Sequence, residues 1–193
     1  EARPSSETRV VCFHNRLKWA DVMLLIIPTE HLTQKELWSS DVLIDASQMA
    51  VEMGDKHCSD VGYRVISNFG VQAHQSQSHG HIHVVSGMSR LLQSASSKSP
   101  INMQDRTDVM EYDVEDTPFA AKISPTNNRS QRELWRSEQI LEISRAALNT
   151  SMRYSPNGFR LMSSFEPASR SALEASNPAG LFLLGGGQLG LYV

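Results

Sequence analysis

Apolar positions along this chain follow two different periods in turn. Near the start, "RVVCFH" and "VMLLII" are short apolar runs of strand length, and they predict two strands. The period then changes: Val42, Ala46, Met49, Ala50 and Met53 recur at i, i+4, i+7, i+8 and i+11, the spacing of a helical stripe packed on a core. Ahead of that stripe, Thr33 and Glu36 fit the S/T-x-x-E capping box, in which a hydroxyl and a carboxylate satisfy the orphan amides of a helix start. A helix is predicted to begin there. "YRVISN" reads as a third strand and, after a loop, "HIHVV" as a fourth.

The pattern occurs twice. Residues 27–70 align with 124–166: Pro28 matches Pro125, "TQKELW" matches "SQRELW", and "GYRVISNF" matches "GFRLMSSF". Ser130 and Glu133 repeat the capping box, Ile140, Ile143, Ala147 and Leu148 repeat the stripe, and "LFLLG" repeats the last strand. "VMEY" and "FAAKI" are weaker counterparts of the first two strands. Each unit alone leaves a sheet edge open, which pairing with a second copy removes. The expected fold is therefore α+β, two tandem repeats of an antiparallel sheet with a long helix, joined as an intramolecular pseudodimer. The expected division is a disordered lead-in at 1–8, a first repeat at 9–90, a Ser-rich connecting loop without periodicity at 91–105, and a second repeat at 106–193. The closing "GGGQLGLYV" lacks the Lys-Ser/Thr pair of a phosphate loop and reads as a flexible or docking end.

Composition narrows the function classes. A formal net charge of −3 with mixed signs provides no electrostatic footprint for nucleic acid, and no apolar run approaches the roughly 20 residues that span a bilayer. Neither nucleic acid nor membrane is expected as a partner. Cys12 and Cys58 show neither zinc-type spacing nor disulfide-framework density, which fits a reducing compartment, and a cytoplasmic location is expected.

The chemistry concentrates in "QSQSHGHIHVVSG", residues 75–87, where His79, His81 and His83 fall on one face of an extended segment. Three readings are open. Two of the rings could join a ligand from elsewhere on a metal, although all three from one strand would strain tetrahedral geometry. They could be core residues, an expensive way to fill a core. Or one neutral ring could attack phosphorus, with its other nitrogen held by an acceptor and its neighbours binding the phosphate oxygens.

"HGHIHVV" resembles the H-φ-H-φ-H-φ-φ signature of the histidine triad (HIT) nucleotide hydrolases and transferases, with Gly80 at a position usually hydrophobic. With "VVCFHNRLKWADVMLLIIPTEH", the helix, "GYRVISNFG" and the "QS" before the triad, residues 9–90 resemble the adenosine phosphoramidase branch of that superfamily. The resemblance implies that His81 is the nucleophile, that His79 orients it and that His83 contacts phosphate. It further implies phosphate contacts from Asn68, Gln75 and Ser76, and a nucleoside pocket formed by Phe13, His14 and Asn15 with Leu24 and Ile26 as walls. Its ligand is a purine nucleotide of AMP type, and its chemistry needs no metal or other cofactor. Two positions depart from the branch: Met23 stands where a further histidine is common, and His74 replaces a glycine.

Opposite the triad, the second repeat reads "PAGLFLL", residues 178–184, without histidine. The simplest account is a fused dimer whose second half keeps the interface and acts as internal partner. Galactose-1-phosphate uridylyltransferase, of the same superfamily, also has two related halves, but its triad ends in Gln where this chain has His83. The resemblance thus implies a hydrolase cleaving a P–N or phosphoanhydride bond at a nucleoside 5′-phosphate. The alternatives are a nucleotidyltransferase or phosphorylase, and a non-catalytic nucleotide-binding scaffold.

Overall fold

In the computed structural model, which describes residues 8–17, 19–87, 95–103, 106–127, 129–170 and 178–186, the first two apolar runs pair as antiparallel strands. They are β1 (Val10–His14) and β2 (Met23–Pro28). The strand β3 (Tyr63–Phe69) pairs with β4 (Ile82–Ser86), and β4 also pairs with β2. The second half follows the same course. Its strands are β6 (Thr107–Asp113), β7 (Phe119–Pro125), β8 (Phe159–Phe165) and β9 (Leu181–Gly185), with β9 between β7 and β8. The halves meet where β3 lies antiparallel to β8, Tyr63 opposite Phe165, Ile66 opposite Met162 and Phe69 opposite Phe159. One nine-stranded sheet results among the described residues, in the order β1-β2-β4-β3-β8-β9-β7-β6-β5, where β5 is Ser96–Met103.

Alternation along β3 sorts its side chains onto two layers. Tyr63, Val65 and Phe69 join a core that includes the helices of both halves, while Ile66 joins a smaller cluster with Met23, Val85, Met162, Phe182 and Leu184 that contains no helical residue. The helices therefore cover one face of the sheet. Both capping boxes are present: Thr33 and Ser130 accept from the amides of Glu36 and Glu133, whose carboxylates accept in return from the cap amides at 2.7 and 2.8 Å. Each predicted long helix is broken. A short α1 (Gln34–Ser39) precedes α2 (Val42–Cys58), and α3 (Gln131–Trp135) precedes α4 (Gln139–Tyr154). Ser40 turns extended, and the chain restarts as helix after Asp41. Val42, Ala46 and Ala50 are buried as the stripe predicts, with Met49 and Met53 partly buried at its margin.

The expected connecting loop needs correction. Ser96–Met103 forms β5, an edge strand on β6 with register shifts around Pro100. A polar strand with Lys and Pro suits a sheet edge, where one side faces water and a donor can be missing, and for that reason it lacks the apolar signature of an inner strand. Residues 91–94 and 104–105 of that stretch, residues 1–7 of the lead-in and residues 187–193 of the tail lie outside the described residues. Among the described residues, no helix is long and apolar enough to cross a membrane.

Candidate active site

The histidine segment is fixed through its backbone before its side chains matter. His79 bridges to Thr33, and the Gly80 amide donates to the Leu32 carbonyl at 2.6 Å. A Cβ at Gly80 would come 2.8 Å from the Thr33 oxygen and 3.0 Å from Leu37 Cβ, so no larger residue fits without displacement. His81 is held on both sides by one side chain. Its amide donates to Gln34 Oε1 and its carbonyl accepts from Gln34 Nε2, each at 2.8 Å. That carbonyl also accepts from Ser67 Oγ at 3.0 Å, and Ser67 Oγ lies 3.2 Å from the Trp38 indole N–H that donates to it. The strand β4 starts only at Ile82, so these bonds to α1 and β3 are what carry the extended conformation back through His81 to His79.

On that backbone two of the rings bond main-chain carbonyls. His79 Nε2 donates to the Pro28 carbonyl at 3.1 Å, and His81 Nδ1 donates to the His79 carbonyl at 2.8 Å. The His81 and His83 rings meet edge to face with centroids 4.8 Å apart. Burial pushes the His81 imidazole below its ordinary value, partly opposed by the bond to the His79 carbonyl. His83 is pushed down to about 3, first by burial and then by the neighbouring His81 and by Arg160 of β8. Both rings are therefore neutral near pH 7. All three line a cavity of about 710 Å³ with Phe13, His14, Asn15, Leu25, Ile27, Asn68 and Ser76.

Residues 6–90 match the HIT domain family. An uncharacterized HIT-like protein of Chlamydia muridarum is 32% identical over 80 residues, 40% of this chain, and the chain spans 64% of that relative's length. A GalT-like protein from Arabidopsis thaliana is similar in structure, with a TM-score of 0.66 at 12% identity over 94% of this chain and 75% of that one. An ADP-glucose phosphorylase from the same plant, with bound ADP-glucose, gives 0.64 at 12% identity over 94% and 72%. At that identity the likeness concerns the fold, which is α+β and GalT-like across both halves.

Of the residues singled out in the sequence, Phe13, His14, Asn15, Asn68, Ser76 and the three histidines line this cavity. Leu24 and Ile26 do not. They are buried in the helix-side core, and Leu25 and Ile27 line the cavity instead, because Leu25 sits directly opposite His83 and so shares its face. Gln75 is turned away as well: its Oε1 accepts from the Gly70 amide and its Nε2 donates to the Gln77 carbonyl, while Gln77 lines the cavity. Arg16, Leu17 and Trp19 of the β1–β2 loop also line it, and the exposed, irregular loop gave no periodic signal for them. His74 lines it in a left-handed conformation at φ 58°, the backbone state that favours the glycine it replaces. Met23 is buried, and its sulfur accepts from the Trp19 amide at 3.2 Å.

The second half keeps the scaffold without the rings. Gln131 brackets Gly180 with two 2.9 Å bonds, Ser163 Oγ donates to the Gly180 carbonyl at 2.9 Å, and Trp135 donates to Ser163. Gly180 thus stands where His81 does, and Phe182, opposite Met162, stands where His83 does, opposite Ile66. Lys122 takes the place of Leu25, donating to the Pro178 carbonyl at 2.6 Å with its Nζ 5.7 Å from the Phe182 ring centre. A Cβ at Gly180 would lie 2.7 Å from Lys122 Cε, so the space a central histidine would need is filled.

Proposed function

We propose that this protein hydrolyses a P–N or phosphoanhydride bond at a nucleoside 5′-phosphate through a nucleotidyl-His81 intermediate, with a purine nucleotide of AMP type as ligand. The observation that carries the reading is the 2.8 Å bond between His81 Nδ1 and the His79 carbonyl. A carbonyl only accepts, so Nδ1 holds the proton and Nε2 holds the lone pair. Burial keeps the ring neutral, which is the nucleophilic form. In the first step the Nε2 pair bonds to the α-phosphorus as the bond to the leaving group breaks. The leaving group takes the electron pair of the broken bond and a proton from solvent. The ring becomes cationic, and the His79 carbonyl stabilises its Nδ1–H. Water then attacks phosphorus, the P–Nε2 bond breaks with its pair returning to the ring, and the water's proton is released to solvent.

In this scheme His79 orients His81 through its carbonyl, His83, Asn68 and Ser76 meet the phosphate oxygens, and Phe13, His14, Asn15, Leu25 and Ile27 surround the nucleoside. The second repeat, on β3, serves as internal dimer partner. A second reading, transfer to a phosphate acceptor, is supported by the likeness of both halves to the ADP-glucose phosphorylase. His83 in place of Gln supports hydrolysis.

The test is intact-protein mass after incubation with adenosine 5′-phosphoramidate, quenched without acid, for wild type and His81→Ala. An adenylyl adduct or AMP release in wild type alone is the expected result. Neither product, with AMP binding intact, overturns the covalent reading in favour of a nucleotide-binding protein. Formation of ADP rather than AMP when inorganic phosphate is added identifies transfer.

A further inference from the structure

The sheet brings one cation from the second half to the edge of the first half's cavity. Arg160 lies on β8 directly opposite Asn68 on β3 and is 3% exposed. Its Nε donates to Asn68 Oδ1 at 2.8 Å, and Asn68, 2% exposed, lines the cavity with His81 and His83. A guanidinium has no acceptor, so the atom it meets must be the carboxamide oxygen. That fixes the orientation of the amide: Oδ1 is committed to Arg160, and the two Nδ2–H donors are left for the cavity. The same residue lies close enough to His83 to disfavour its protonation.

We propose that Arg160 is a positioning residue of the HIT site, supplied by the second repeat, which orients the Asn68 amide as a donor to the α-phosphate. The proposal rests on the nucleotide reading above. The other arginine of the repeat is its built-in control. Arg64 occupies the equivalent place on β3 and is similarly buried at 6%, but it stands opposite Ser164 rather than an amide, and its Nε and the Ser164 hydroxyl have no hydrogen-bond partner among the described residues. The half that has lost its histidines has also lost the arginine–asparagine pair. A purely structural need for an arginine at this point of the sheet would not distinguish the two sides.

The experiment compares Arg160→Met, Asn68→Ala, the double variant and Arg64→Met in the full chain. Three quantities are read: the single-turnover rate of adenylyl adduct formation from adenosine 5′-phosphoramidate, AMP affinity, and the NMR titration of the His83 ring. Arg160→Met and Asn68→Ala each lower the adduct rate or AMP affinity roughly 10- to 100-fold, the range for one lost hydrogen bond to a charged group. The double variant is no worse than Asn68→Ala, because both changes remove one device. Arg160→Met also moves the His83 titration upward, and Arg64→Met moves none of the three, whatever it does to the melting temperature. Multiplicative losses in the double variant, or equal losses from Arg64→Met, overturn the proposal. A wild type that binds AMP but forms no adduct overturns only the covalent reading, and Arg160 is then judged on AMP affinity. A wild type that does neither overturns both.

Discussion

His83 is an imidazole that folding holds neutral, and this makes acid a specific destabiliser. In the unfolded chain it titrates near 6.5, and in the fold at about 3. Between those values the unfolded state binds a proton that the native state does not, so stability is full above pH 6.5 and falls as the pH drops toward 3. The slope is about 1.4 kcal/mol per pH unit for this group. His81, also lowered by burial, contributes with the same sign. Urea midpoints measured from pH 7 to 4 should therefore fall less steeply in His83→Gln than in wild type, and parallel slopes would refute the assignment. Gly80 makes a second residue-level case. Gly80→Ala sets a methyl against the Thr33 oxygen at 2.8 Å, and the expected cost is about 1–3 kcal/mol together with slower adduct formation, since the displaced segment carries His79 and His81. The histidines were legible in the sequence because three titratable rings at period two are costly without a function. Their protonation was not, because it depends on burial and on an arginine from another strand.

At the scale of elements, the N-terminus of each short helix ties down a strand entry. Gln34 of α1 and Gln131 of α3 make equivalent paired bonds to the backbone of His81 and Gly180. Gln34→Leu and Gln131→Leu each strand a buried amide and are expected to cost about 1–3 kcal/mol in chemical denaturation. Only Gln34→Leu should slow adduct formation. Comparable catalytic losses from both would mean that these bonds matter to the fold alone. The capping boxes were readable because they are local, two side chains and two amides within four residues. The helix break at Ser40 and the edge strand β5 were not. The first interrupts a pattern that remains helical on either side, and the second has the polar composition of a loop because it meets the sheet on one side only.

Over the whole molecule, one helix-side core runs through both halves. Leu43 and Val51 of the first half share it with Ile143 and Ala147 of the second, the Trp38 and Trp135 rings meet edge to face with centroids 6.2 Å apart, and Ser144 donates to the Trp38 carbonyl. Asp55 of α2 accepts from Arg132 of α3 and from Arg136, each at 2.9 Å, across the same junction. Shared packing of this kind couples the halves into one folding unit. Tryptophan fluorescence and far-UV circular dichroism should report a single, coincident unfolding transition. Leu43→Ala and Ile143→Ala should each lower that one midpoint, by about 2–5 kcal/mol. Two resolved transitions, each sensitive to one variant, would show that the halves unfold separately.

The sequence alone determined the two periods, the paired capping boxes, the repetition of the whole unit and the row of three histidines, all of which depend on spacing between near neighbours. The tertiary structure decided which phase of each alternation faces the cavity. The unbroken apolar run "VMLLII" does not show which positions share a face, and only the pairing of β2 with β4 sets Leu25 and Ile27 toward His83 and turns Leu24 and Ile26 into the core. The structure likewise brought Arg160 to Asn68 across 92 residues of chain. The physical reason is the same in both cases: a strand carries its period within itself, whereas its register and its neighbours are set by contacts that leave no local trace.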